Sequence, residues 1–186
     1  LLVTACGKKN PFEGKWKGSC DITELMVETL VAEDASLEEY IDFETLELVL
    51  FFEFDDGKMT ITPDEEGMET LAENLETGIV DMMDALVENL ATENEIDVED
   101  AYVMMQTDRD TLIKQTLDEL NAEEFTEGLA EAFTLSGIYS YDEEKITIIG
   151  EDNTYEEMKY DFNKKKLTIT ISDGEDGYDF LCKRQK

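Results

Sequence analysis

The chain has 186 residues, 41% hydrophobic and 34% charged, which suits one domain with a sizeable core that folds without a partner. Its 48 Asp and Glu against 15 Lys and Arg give a formal charge of −33, and this speaks against nucleic acid, whose phosphates need clustered cations. The absence of histidine removes Ser-His-Asp and Cys-His catalysis and His-ligated zinc, and the three cysteines Cys6, Cys20 and Cys182 form no CxxC pair.

In chain order, residues 12–20, FEGKWKGSC, read as a strand with Phe12, Trp16, Gly18 and Cys20 on one face. Residues 22–41 read as two short helices, the second led by Ser36 and Glu39 at capping-box spacing. Between 43 and 54, Leu46, Leu48, Leu50, Phe52 and Phe54 alternate with Glu47, Val49, Phe51 and Glu53, a strong strand signal. DDGK at 55–58 then makes a tight turn into KMTITP, with Met59 and Ile61 inward. Residues 64–133 change period. Met68, Leu71, Leu75, Ile79, Met82, Leu86 and Leu90 mark a long amphipathic helix. A short helix follows over 97–106, with Val98, Tyr102 and Met105 inward. Asp108 and the pair Asn121 and Glu124 cap two more. From 134 the period returns to two. The strands turn near Glu143, at Asn163–Lys164 and at SDGEDG, and Tyr178, Phe180 and Cys182 share a face of the last. The expected total is about eight strands of meander type. The helical block 64–133 is expected to be an insertion after the third strand, not a separate domain. No stretch approaches the roughly 20 apolar residues of a membrane span.

Two resemblances sharpen this pattern. Leu2-Val3-Thr4-Ala5-Cys6-Gly7 resembles the lipobox of bacterial lipoproteins, with an apolar residue three or four before the cysteine and small residues on either side of it. The resemblance implies that residues 1–5 are the remnant of a cleaved signal peptide, that Cys6 is lipidated, and that 6–11 tether residues 12–186 to the extracytoplasmic face of a membrane. An incidental free cysteine in an unstructured terminus is the plainer alternative. Phe12-x-Gly14-x-Trp16, together with a last strand ending Cys182-Lys183-Arg184, resembles lipocalins and intracellular fatty-acid-binding proteins. It implies an α+β chain built on an eight-stranded antiparallel barrel, closed where Trp16 packs under Arg184. The resemblance covers the strands at 12–63 and 134–184, because neither family carries some 70 helical residues after the third strand.

If the first and last strands close the barrel, the same register brings Cys20 close to Cys182. A disulfide and a pair of buried free thiols both stay open there. Seven of the 15 cations, Lys8, Lys9, Lys15, Lys17, Lys183, Arg184 and Lys186, lie near the anchor or on the closing strands, which suits an anionic lipid surface. Acidic residues are too evenly spread to single out a catalytic pair, and the acidic last turn lacks the spacing of a calcium loop. The expected role is binding rather than catalysis, with no cofactor and no metal. A small hydrophobic ligand would be lined by Phe52, Phe54, Tyr139, Tyr141, Tyr160 and Phe162. The alternative is an interaction module whose acidic helical face meets a protein or cell-envelope partner. The sequence leaves the ligand's identity and the oligomeric state open.

Overall fold

The computed structural model describes residues 11–150, 154–163, 165–173 and 176–186. Eight antiparallel strands close into a barrel in the order of the chain: β1 (Gly14–Asp21), β2 (Glu47–Asp55), β3 (Lys58–Pro63), β4 (Leu135–Tyr141), β5 (Lys145–Gly150), β6 (Tyr155–Asn163), β7 (Lys166–Asp173) and β8 (Asp176–Arg184). Five α-helices make this an α+β protein: α1 (Thr23–Glu33) after β1, and α2 (Glu65–Glu93), α3 (Val98–Met104), α4 (Arg109–Leu120) and α5 (Ala122–Ala132) between β3 and β4.

Local chemistry accounts for most boundaries. Asp55 pairs with Lys58 across the β2–β3 turn, whose Asp56 and Gly57 both take positive φ, 44° and 79°. At the β4–β5 turn the Asp142 carboxylate accepts from the backbone N–H of Glu144 (2.9 Å) and Lys145 (3.0 Å). Asp108 caps α4 by accepting from the Thr111 N–H at 2.9 Å, and that bond holds its carboxyl below the usual range. Asn121 ends α4 in the left-handed conformation and starts α5, its side chain accepting from Glu124 N–H at 3.3 Å.

The helical segments depart from the sequence reading in three places. The second short helix of 22–41 is only a 3₁₀ turn, Ala35–Leu37, and its cap is Asp34, which accepts from the Ser36 N–H and hydroxyl. On α2, Leu71, Leu75, Ile79 and Met82 are buried as expected, but the buried line then passes to Val87 and Ala91, leaving Leu86 and Leu90 half-buried. The shift occurs because Val87 and Ala91 pack with Ala101 of α3. On α3 that same contact uses Ala101, so Val98 and Met105 are exposed instead of inward.

By its internal contacts the described chain forms two compact units. One holds the residues up to Cys20 with Val49–Asp64 and Ala132–Lys186. The other holds Asp21–Leu48 and Glu65–Glu131. The second unit therefore takes in α1 and the segment leading to β2 as well as the helices expected at 64–133. No helix among the described residues is long and apolar enough to cross a membrane.

Candidate functional site

The closure of the barrel is built by three residues. Trp16 pairs with Arg184 across β1 and β8, and the guanidinium lies 5.5 Å from the centre of the indole ring. Arg184 also donates to the carbonyl of Glu13, and the Trp16 indole N–H donates to the carbonyl of Phe12 at 2.7 Å. Gly14 between them takes φ +117°, a conformation side-chain-bearing residues rarely adopt, and this lets the chain fold back over the barrel end. The fold-back carries Phe12 inside. Sequence and structure thus agree that Trp16 and Arg184 meet.

Phe12 sits among the residues expected to line a ligand site. Its ring centre lies 5.5 Å from Phe54, 5.0 Å from Tyr141, 4.8 Å from Tyr160 and 5.8 Å from Phe162. The fifth and sixth residues of that set are engaged by other rings, Phe52 by Phe180 at 5.6 Å and Tyr139 by Phe54 at 5.3 Å. Five of the six therefore converge, Phe52 standing apart with Phe180, and an aromatic side chain of the chain's own occupies the space where four of them meet. Further inward residues of the barrel, Leu50, Met59, Ile146, Ile148, Ile169 and Phe180, are fully buried, with no surface open to water. A cavity beside them would leave such surface, so the barrel around these residues is filled, as an eight-stranded barrel can be by side chains alone. Phe12 was legible as an inward strand residue, but its role as a plug depends on the fold-back at Gly14.

Cys20 and Cys182 are both buried, and no disulfide joins them. The register pairs Cys182 with Gly18, so Cys20 lies two residues further along β1. Gly18 is needed there, because a Cβ would come within 2.8 Å of the Cys182 sulfur and 2.9 Å of the Phe52 ring. Burial pushes the Cys182 thiol up to about 12, which makes it a poor nucleophile. Outside the barrel, Lys15 lies 4.0 Å and Lys17 5.7 Å from the Phe51 ring centre, and Lys17 also bonds Asp64 at 2.7 Å. Cys6, Lys8 and Lys9 lie outside the described residues.

The helical unit differs sharply in charge. It carries 31 Asp and Glu against two cations, Arg109 and Lys114, whereas the barrel unit carries 17 against 13. Arg109 is bound by both oxygens of Asp84, at 2.8 and 2.6 Å, which raises its already high pKa. Two open grooves lie within this unit. One, of about 360 Å³, runs along α4 and is lined by Val80, Ile113 and Leu117 with Arg109, Lys114 and Asp118. The other, of about 310 Å³, lies on the second half of α2 and is lined by Tyr40, Met83, Leu86, Leu90, Glu93 and Met105. The Tyr40 hydroxyl there accepts from Asn89 Nδ2 at 2.7 Å. Its phenol is pushed up by desolvation and by the nearby Glu39 and Glu93. Sequence reasoning missed this groove. The signal was present in the breadth of the α2 pattern, where Met82–Met83 and Leu86–Val87 double the apolar stripe.

Among the described residues no group of three or more Cys, Asp or Glu side chains is placed to hold a metal ion. A scan against protein-family models finds no match, and searches of curated proteins and of solved structures return none.

Proposed function

We propose that this protein is a membrane-anchored, extracytoplasmic interaction module, in which a lipocalin-like barrel with a helical insertion is the scaffold and the acidic helical unit is the recognition surface. The observation that carries the reading is charge segregation: 31 acidic side chains and two cations in one unit, beside a nearly balanced barrel unit. Charge concentrated in one unit attracts and orients cationic partners over distances near the Debye length, ~8–10 Å at physiological salt. The filled barrel favours this reading over carriage of a small hydrophobic ligand, because Phe12 occupies the space among Phe54, Tyr141, Tyr160 and Phe162. The lipocalin-like assignment is supported by the Trp16–Arg184 contact at closure. The anchor rests on the spacing of Leu2, Val3, Thr4, Ala5 and Gly7 about Cys6. The role is binding, without catalysis.

Two measurements test it. Titration of the chain against panels of cationic and neutral peptides is expected to give binding only to the cationic ones, weakening steeply with salt. Native mass spectrometry with a fatty-acid panel is expected to show no complex, and a stoichiometric fatty-acid complex would overturn the reading in favour of a carrier. Uptake of radioactive fatty acid into the chain, lost in Cys6→Ala, tests the anchor separately.

A further inference from the structure

We infer that the groove on the second half of α2 docks a cationic amphipathic segment of a partner protein. This rests on the interaction-module reading and adds to it the place of contact and the side chains that fit.

The lining of the groove is mostly apolar. Met83, Leu86, Val87 and Leu90 contribute to it from α2, with Tyr40 and Met105 from outside that helix. Leu86 and Leu90 are four residues apart, one above the other on the helix, so they present a continuous apolar strip. The turn that supplies Met105 also exposes Val103 and Met104, at 72% and 50% of their surface. Methionines are adaptable liners, since an unbranched thioether re-packs around different occupants. The volume of about 310 Å³ is at the lower end of ligand pockets. It suits a few side chains from an element lying along the groove, not a whole element entering it.

Charge selects the occupant. Glu93 lines the groove and Glu39 lies beside Tyr40, while both cations of the unit are on α4, where they line the other groove. A segment bearing apolar anchors on one face and Lys or Arg on its flanks satisfies both the strip and the rim. A second copy docking through its own helical unit would bring 31 carboxylates against these, and anionic lipid or nucleic acid would be repelled in the same way.

The test uses the full chain and a fluorescent helical peptide of about 18 residues, with leucines on one face and lysines on the other. Three comparisons decide the matter: a peptide of equal charge with its leucines replaced by serine, the variant Met105→Glu, and the variant Leu90→Glu with its melting curve as a fold check. Met105→Glu discriminates best, because the residue is exposed and the change adds negative charge. Simple electrostatic attraction predicts equal or tighter binding, whereas docking in the groove predicts at least about tenfold weaker binding, roughly 1.4 kcal/mol. The serine peptide is expected to bind at least about tenfold more weakly as well. If the leucine peptide binds but neither variant weakens it, the groove assignment is overturned and the interaction reading stands. Failure of every cationic peptide to bind overturns both. Displacement of the peptide by an uncharged hydrophobic probe, or dimerisation at micromolar concentration, would give the groove to a small ligand or to a second copy and overturn the inference.

Discussion

Replacing Phe12 with alanine tests the claim that the barrel is filled by its own chain. Phe12 is fully buried, and its ring is in edge-on contact with Tyr141, Tyr160 and Phe162 and tilted against Phe54. A buried Phe removes about 150–250 Å² from water, which at about 25 cal/mol per Å² is worth about 4–6 kcal/mol as an upper bound. Partial collapse of the surrounding rings recovers some of this, so Phe12→Ala is expected to cost about 3–5 kcal/mol. Urea unfolding followed by the fluorescence of Trp16, the only tryptophan, reads the change, because its indole holds the Phe12 carbonyl. Should the alanine variant be unfolded from the start, Phe12→Leu removes fewer atoms and is expected to cost less than Phe12→Ala while still lowering stability measurably. A loss below about 1 kcal/mol for Phe12→Ala would refute the plug and return the space among Phe54, Tyr141, Tyr160 and Phe162 to a ligand.

Gly18→Ala places a Cβ against Cys182 and Phe52 in a filled interior, and its overpacking cost of about 1–3 kcal/mol is expected to exceed the modest gain from restricting the unfolded chain; a raised melting temperature would contradict the packing described. Cys20 and Cys182 are expected to resist iodoacetamide in the folded protein at pH 8 and to react fully in urea, as mass spectrometry of the labelled peptides will show; rapid labelling of folded Cys182 would contradict a thiol pushed up to about 12. Crowded carboxylates in the helical unit repel one another, so raising salt from about 0.01 M to about 1 M, which shortens the Debye length from about 30 Å to about 3 Å, is expected to raise the melting temperature; a fall or no change would show that self-repulsion is not significant. The carboxyls of Asp21, Asp34, Asp108 and Asp142 are each lowered by hydrogen bonds to nearby N–H or hydroxyl groups. A depressed carboxylate stabilises the fold above its ordinary value near pH 4 and ceases to do so as pH falls through its folded value. Stability should therefore rise as repulsion eases from pH 7 toward about 4.5 and fall again below about pH 3.5; a monotonic increase into strong acid would show that these caps contribute nothing.

Strand periodicity carried much of the fold. Alternation at Leu48, Leu50, Phe52 and Phe54, with turn residues at DDGK and near Glu143, is a local signal, because a pleated strand alternates its faces wherever it is placed. Caps at Asp108 and Asn121 were legible for the same reason, since the bonding groups lie within three residues. The meeting of Trp16 with Arg184 was expected from the resemblance to lipocalins and fatty-acid-binding proteins, since antiparallel closure alone leaves the register open. Charge segregation, too, is written in the sequence, although it acquires meaning only when the chain divides into units.

Only tertiary structure decided the rest. Whether inward aromatics enclose a cavity or fill one depends on a residue outside the strands, and Phe12 enters through a backbone reversal at Gly14 that no hydrophobic period encodes. Burial on α2 beyond Met82 was set by Ala101 of α3, a small residue that packs with Val87 and Ala91 and draws them inward, while Leu86 and Leu90 stay half-buried along the groove. A helix with two apolar stripes has no preference of its own between them. Its partner element makes the choice, because burial is a property of pairs of surfaces and a single sequence segment contains only one of the two.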